Sequence, residues 1–300
     1  MRIDERLAGG HEPSFSFEFF PPKTDEGERN LGRALAELSR MQPTFVSVTY
    51  GAGGTTDQKR KTVDIVSSIK AEHGLEAMAH FTCVGATTTE LRDTLNLMRD
   101  AGIQNVLALR GDPPPGETEW TATDGGLEYS RELIELIRDE YDFAIGAACF
   151  PEVHIHAESA ESDLRYCKEK VDAGARFLIT QLFFDNALYW EFVARARDIG
   201  IDVPIIPGIM PITNYEQIKR FTSMCGASIP DDLLRELGLR ADQPDAVADF
   251  GVAYATLQCA DLLAKGAPGI HFYTLNRSTA TRAILSALRT MTPWRAAVTA

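Results

Sequence analysis

Short apolar runs recur along the chain at intervals that leave room for one helix between successive runs, and this alternation limits the fold more than any other feature. The runs extend from Ser14 to Phe20, Phe45 to Gly51, Leu75 to Cys83, Asn105 to Gly111, Ala144 to Phe150, Phe177 to Phe184, Pro204 to Met210 and Gly269 to Asn276. Strands alternating with amphipathic helical segments are the mark of βα units around a parallel sheet. Eight such units in 300 residues predict a (β/α)8 TIM barrel. No GxGxxG follows the first strand to argue for an open dinucleotide-binding sheet.

Local signals agree with this count. The first long helix is expected to begin near Thr24 and carries Leu31, Leu35 and Leu38 at helical spacing; another follows the capping box Thr87, Thr88, Thr89, Glu90. Gly102, Gly174 and Gly200 fall between a helix and the next strand, where a left-handed residue ends a helix. The spacing is irregular only between Thr222 and Ala267. There, Ile229 to Leu239 and Asp245 to Lys265 predict extra helices inserted before the last strand, within one domain covering residues 1–300.

With 30 basic and 43 acidic residues, the net charge is −13. That balance argues against nucleic acid or an anionic membrane surface as the main partner, because both call for a concentrated cationic face. No apolar stretch approaches the roughly 18 residues of a membrane span, and the first residues have no apolar signal core, so a cytoplasmic location is expected. Cys83, Cys149, Cys167, Cys225 and Cys259 are scattered without a CxxC pair and are expected to be reduced thiols.

Polar residues near the ends of these runs carry the functional signal. An ionisable or amide group in a strand buried on both faces is costly unless something satisfies it, and barrel active sites lie at the C-terminal ends of the strands. Period-two alternation puts Phe15, Phe17 and Phe19 toward the helices and turns Ser16 and Glu18 into the barrel. Confinement beside Phe20 is expected to raise the Glu18 pKa toward the range of a proton donor, although a structural salt bridge, for example to Arg110, is an alternative. Arg110, Gly111 and Asp112 end the fourth strand before Pro113, Pro114 and Pro115, and the charged pair has a bland alternative as a loop-closing ion pair. Thr49 leads into the glycine-rich turn Gly51 to Thr56, which suits either a phosphate or a tight βα connection. His154 and His156 are not joined by further ligands at metal-site spacing, so an organic anion or a cofactor edge suits them better than a metal. His80 approaches the same mouth, as do Tyr273 and Arg277, while His271 reads as a hydrogen-bonded core histidine.

The runs SFEFFPPKT, FVSVTYGAGG, AHFTC, LALRGDPP, FPEVH, DAGARFLITQLFFD, IIPGIMPITN and HFYTLNR, in this order across residues 14–289, closely resemble bacterial 5,10-methylenetetrahydrofolate reductases. The resemblance implies a FAD-containing barrel that reduces 5,10-methylenetetrahydrofolate to 5-methyltetrahydrofolate with NADH or NADPH, by ping-pong hydride transfer at one site. It implies Glu18 as the general acid toward folate and Asp112 as the charge beside flavin and pterin. Gln181, Gln217, Phe221, Tyr273 and Arg277 then match substrate positions. Thr49, His80, Arg110, Gly111, Asp112, Tyr129, Ser130, Phe150, His154, Asp163 and Lys170 match positions on the cofactor and neighbouring substrate side. Phe150, Ser130 and the HIHAES run depart from the commoner family residues. The resemblance further implies a homodimer or homotetramer and, at this length, no C-terminal regulatory domain. Two alternatives stay open: within the resemblance, the departing cofactor-side positions leave room for a folate-binding barrel without turnover or dependent on a larger assembly, and His154 with His156 leaves room for a metal-dependent hydrolase or lyase.

Overall fold

β1 (Ser14–Phe19) pairs in parallel with β2 (Phe45–Val48) on one side, and its register to that neighbour sets Glu18 level with Ser47. The computed structural model describes residues 1–10, 12–50, 56–112 and 123–295. Before β1 lies a short helix, α1 (Ile3–Ala8), which the apolar pattern did not predict because only Ile3 of its residues is buried. The barrel then alternates α2 (Asp25–Ser39), β2, α3 (Thr56–His73), β3 (Ala77–Thr82), α4 (Thr88–Asp100), β4 (Asn105–Leu109), α5 (Ser130–Glu140), β5 (Ala144–Cys149), α6 (Ala160–Ala173), β6 (Phe177–Thr180) and α7 (Asn186–Asp198).

The seventh strand position differs from the single run expected from Pro204 to Met210. It is divided into β7 (Ile205–Ile206) and β8 (Gly208–Ile209), because Pro207 has no N–H to give to a ladder. The break closes the barrel: β7 pairs with β6 and β8 pairs with β9 (Gly269–Tyr273), which returns to β1, so all nine strands form one parallel sheet. At the seam the Pro207 carbonyl accepts from the His271 N–H at 2.9 Å, and the Gly208 N–H donates to Thr180 Oγ1 at 2.9 Å. A Cβ on Gly208 would lie 2.4 Å from the Thr180 carbonyl oxygen, so this crossing requires glycine.

The helix and strand signals read from sequence have physical counterparts. Thr24 caps α2 by accepting from the Gly27 N–H, and Thr87 with Glu90 forms the reciprocal capping box of α4. Gly102, Gly174 and Gly200 have φ of 72°, 137° and 79°. Phe15, Phe17 and Phe19 face the helices, in one cluster with Leu31, Leu35 and Leu38 of α2, each such burial contributing about 1.5–3 kcal/mol. Inside the barrel, Ile3 meets Phe45, Met78, Leu107, Phe177, Ile179 and Ile206, while its N–H donates to buried Asn105 at 2.8 Å.

After β8 come α8 (Tyr215–Cys225) and the two expected extra helices, α9 (Asp231–Gly238) and α10 (Pro244–Ala264); α11 (Thr279–Met291) follows β9. A separate apolar cluster of Leu182, Phe184, Met210, Ile212, Leu233, Leu237 and Val247 ties this insertion to the barrel rim. Several strands are shorter than their apolar runs. Beyond β9, Leu275 and Asn276 adopt left-handed φ of 52° and 55°, and Asn276 bonds both the N–H and the carbonyl of Phe20.

Candidate active site

Glu18 turns inward as alternation predicted and meets two histidines. His80 Nε2 on β3 and His271 Nε2 on β9 each lie 3.4 Å from Glu18 Oε2. The alternative partner considered from sequence, Arg110, is not the one found. Behind His271, Ser16 Oγ is 2.8 Å from Nδ1, and both residues are fully buried. The Glu18 backbone is also fixed, since its carbonyl accepts from Thr274 Oγ1 at 2.6 Å.

These neighbours correct one expectation. Burial, the largest influence, pushes the Glu18 carboxyl upward, but the electrostatic influence of the nearby His80 and the hydrogen bond and electrostatic influence of His271 outweigh it, and the pKa lies below its ordinary value rather than above it. On His80, burial outweighs the opposing pull of the Glu18 charge and brings the pKa down to about 4, so at neutral pH the negative charge resides on Glu18 beside a neutral His80 ring. His80 Nε2 is buried without a hydrogen-bond partner, because its approach to Glu18 is close but not aligned.

Glu18 opens into a cavity of 1080 Å³ over the strand ends, large beside the roughly 300–1,000 Å³ of ordinary small-molecule sites. Thr49, His80, Gln181 and Tyr273 share its inner wall, and Phe221 reaches it from α8. The Tyr273 hydroxyl is anchored by donating to the Thr180 carbonyl at 2.7 Å. Farther round are Arg110, Gly111 and Asp112 after β4, with Tyr129 and Ser130 at the start of α5. Gly111 has φ of 96°, and a Cβ there would come within 2.3 Å of Val84 Cγ1, so the turn between arginine and aspartate needs glycine.

Phe150, His154, Asp163 and Lys170 form the remaining side. Asp163 accepts from the His154 N–H at 3.1 Å, and Lys170 Nζ donates to the Ala148 carbonyl at 2.5 Å. The Phe150 and His154 rings meet edge to face at 4.6 Å. Burial, helped by the nearby Arg110, His156 and Lys170 charges, lowers the His154 pKa to about 4, whereas burial raises that of Asp163. His154 Nδ1 accepts from the His156 backbone N–H at 3.1 Å, which commits that ring nitrogen to a local turn.

The methylenetetrahydrofolate reductase family model matches residues 2–289. The 5,10-methylenetetrahydrofolate reductase of Escherichia coli is 42% identical over 274 residues, covering 91% of this chain and 90% of that protein. The chain belongs to the methylenetetrahydrofolate reductase family. Methylenetetrahydrofolate reductase (NADH) 1 of Arabidopsis thaliana is 42% identical over 276 residues, covering 88% of this chain but 46% of that protein. This reductase-family chain therefore spans about half the length of its plant relatives. Among solved structures, a Clostridium thermocellum protein that binds two copies of 5-methyl-5,6,7,8-tetrahydrofolic acid has a TM-score of 0.62 at 15% identity, covering 96% of this chain and 98% of that one; this likeness shows the fold.

For this reductase-family barrel, two expected substrate residues stand apart from the cavity wall. Gln217 lies one turn before Phe221 on α8, where its N–H is used by the Asn214 cap, and Arg277 is exposed beyond the left-handed turn that ends β9. The glycine-rich turn at 51–55 and the prolines at 113–115 lie outside the described residues. Ile155, Tyr166 and Glu169 also line the cavity, although no sequence motif singled them out. The α6 spacing offered a signal: Tyr166 and Glu169 share the helical face that carries Asp163 and Lys170. All five cysteines are free thiols, and among the described residues no helix is long and apolar enough to cross a membrane.

Proposed function

We propose that the chain is a flavin-dependent reductase that converts 5,10-methylenetetrahydrofolate to 5-methyltetrahydrofolate with a nicotinamide donor. The observation that carries this reading is one cavity that joins Glu18, Gln181 and Tyr273 on its inner wall to His154, Asp163 and Lys170 on its far side. The family match over residues 2–289 supports it. NADH, named for plant relatives, is the donor we favour.

The chemistry of the lining fits FAD. Arg110 and Lys170 offer cations for phosphates, and Asp163 offers a carboxylate for ribose hydroxyls. An ammonium has three donors, of which Ala148 takes one from Lys170. His80 brings a buried Nε2 with no protein hydrogen bond to the same wall. When bound, FAD would relay a hydride from the nicotinamide to the folate.

Glu18 would hold the proton that the folate needs to open its five-membered ring. Its pKa starts below the ordinary value, so the proton must be taken up as substrate binds. A ring system over Glu18 covers the 18% of its side chain still exposed and strengthens burial, the influence that raises the pKa. The carboxylate of Asp112, on the same cavity, would favour the cation that ring opening creates. Gln181 would hydrogen-bond the heterocycle, and Phe221 with Leu182 would cover its apolar face.

The deciding experiment adds NADH and then methylenetetrahydrofolate, without oxygen, to the full chain loaded with FAD. The absorbance of oxidised flavin should vanish at the first addition and return at the second. Failure to hold FAD, or a reduced flavin that folate does not reoxidise, would overturn the proposal.

A further inference from the structure

Glu18 must exist in two protonation states for the proposed reaction, and its surroundings must tolerate both. The titratable groups facing it are His80 on β3 and His271 and Tyr273 on β9, while β2 contributes the buried and unpartnered Ser47 hydroxyl in register with Glu18. Of the two histidines, only His271 has a hydrogen-bonding group fixed behind it among the described contacts: Ser16, 2.8 Å from Nδ1. The His271 ring is also held in place, lying nearly parallel to Phe45 at 6.1 Å and edge-on to Tyr273 at 5.5 Å.

A hydroxyl both donates and accepts, and a neutral imidazole carries its proton on either nitrogen. When Glu18 is a carboxylate, Nε2–H of His271 donates to it and the Ser16 hydroxyl donates to Nδ1. When Glu18 takes a proton, its O–H donates to Nε2, the imidazole proton sits on Nδ1, and Nδ1–H donates to Ser16. The two states differ by one proton, on Glu18, and no side chain moves.

We propose that Ser16 and His271 form a hydrogen-bond relay that reverses its polarity as Glu18 gains or loses its proton. His271 is then a positioning residue, keeping the acid at one place in both states. The relay rests on the reading of Glu18 as a proton donor, but it is testable without turnover.

The test is nitrogen NMR of the full chain with 15N-labelled histidine, titrated from about pH 8 to about pH 3, so that the range extends below the ordinary glutamate value that Glu18 undercuts. Among the six histidines, the His271 signals are assigned by their loss in His271→Gln. Carboxyl-labelled glutamate reports Glu18 in the same samples. The expected result is that the proton-bearing nitrogen of His271 changes from Nε2 to Nδ1 as Glu18 titrates. Ser16→Ala removes the partner of Nδ1 in both states, so the two His271 tautomers should be less sharply populated at the two ends of the titration, and Ser16→Thr should restore them. An imidazolium with both nitrogens protonated, or a His271 unchanged while Glu18 titrates, would overturn the relay. The signals are read whether or not the chain reduces folate, so a failed relay and a failed reductase are told apart.

Discussion

Replacing Glu18 with glutamine keeps the shape of the side chain, and with it the packing beside His80 and His271, but removes the ionisable proton. A carboxyl at the ordinary value of 4.5 is protonated in about one molecule in 300 at pH 7, and the histidines hold Glu18 lower still. The folate half-reaction of the unmodified protein should therefore quicken as pH falls, by up to about tenfold per unit, until substrate binding has lifted the carboxyl into range. Glu18→Gln should slow folate-dependent flavin reoxidation by about 10²–10⁴-fold, the usual contribution of a general acid, and flatten its pH dependence. Flavin reduction by NADH needs no proton from this position and should change by less than about tenfold, the scale of one altered hydrogen bond. Rapid-mixing absorbance of the two half-reactions, each measured alone across pH, makes the comparison. Equal loss in both, or a variant that keeps the pH slope, would refute the assignment.

Two further outcomes concern stability. His80 titrates near 4 when folded against 6.5 when exposed, so in that window the unfolded chain binds the proton and the folded chain does not, and stability rises with pH. Between pH 5 and 7 this amounts to about 2 kcal/mol, and urea midpoints of His80→Gln should lose that share of the slope; an unchanged slope would contradict the burial argument. Thr180→Val keeps the side-chain shape but strips Gly208 of its hydrogen-bond acceptor at the barrel seam. It should destabilise by about 1–3 kcal/mol in urea unfolding, and a change within error would mean that the seam bond contributes little.

The barrel was legible because its strands are continuous apolar runs, and period-two alternation sufficed to send Phe17 outward and Glu18 inward. Alternation also overran: β9 stops at Tyr273, since a left-handed turn at Leu275 and Asn276 has no apolar signature. The short α1 escaped notice because one buried isoleucine makes no periodic pattern. Strand ends dictate direction, and His80 and Gln181 line the cavity, whereas Gln217 and Arg277, which follow a helix face and a turn, are not among its lining residues. The acidity of Glu18 was misjudged for a related reason. His271 is 253 residues away in sequence, and only barrel closure through the divided seventh strand brings its ring to the carboxylate.

The isoleucine that α1 lowers among Phe45, Met78, Phe177 and Ile206 has a kinetic meaning. With them it fills the barrel interior at the strand starts, away from the strand ends where Glu18 and the cavity lie. Were a donor and an acceptor both to need the Glu18 wall, they would meet it through the cavity on that side, and the second would wait until the first had gone. Alternation of substrates in time would follow from plumbing before any chemistry is considered.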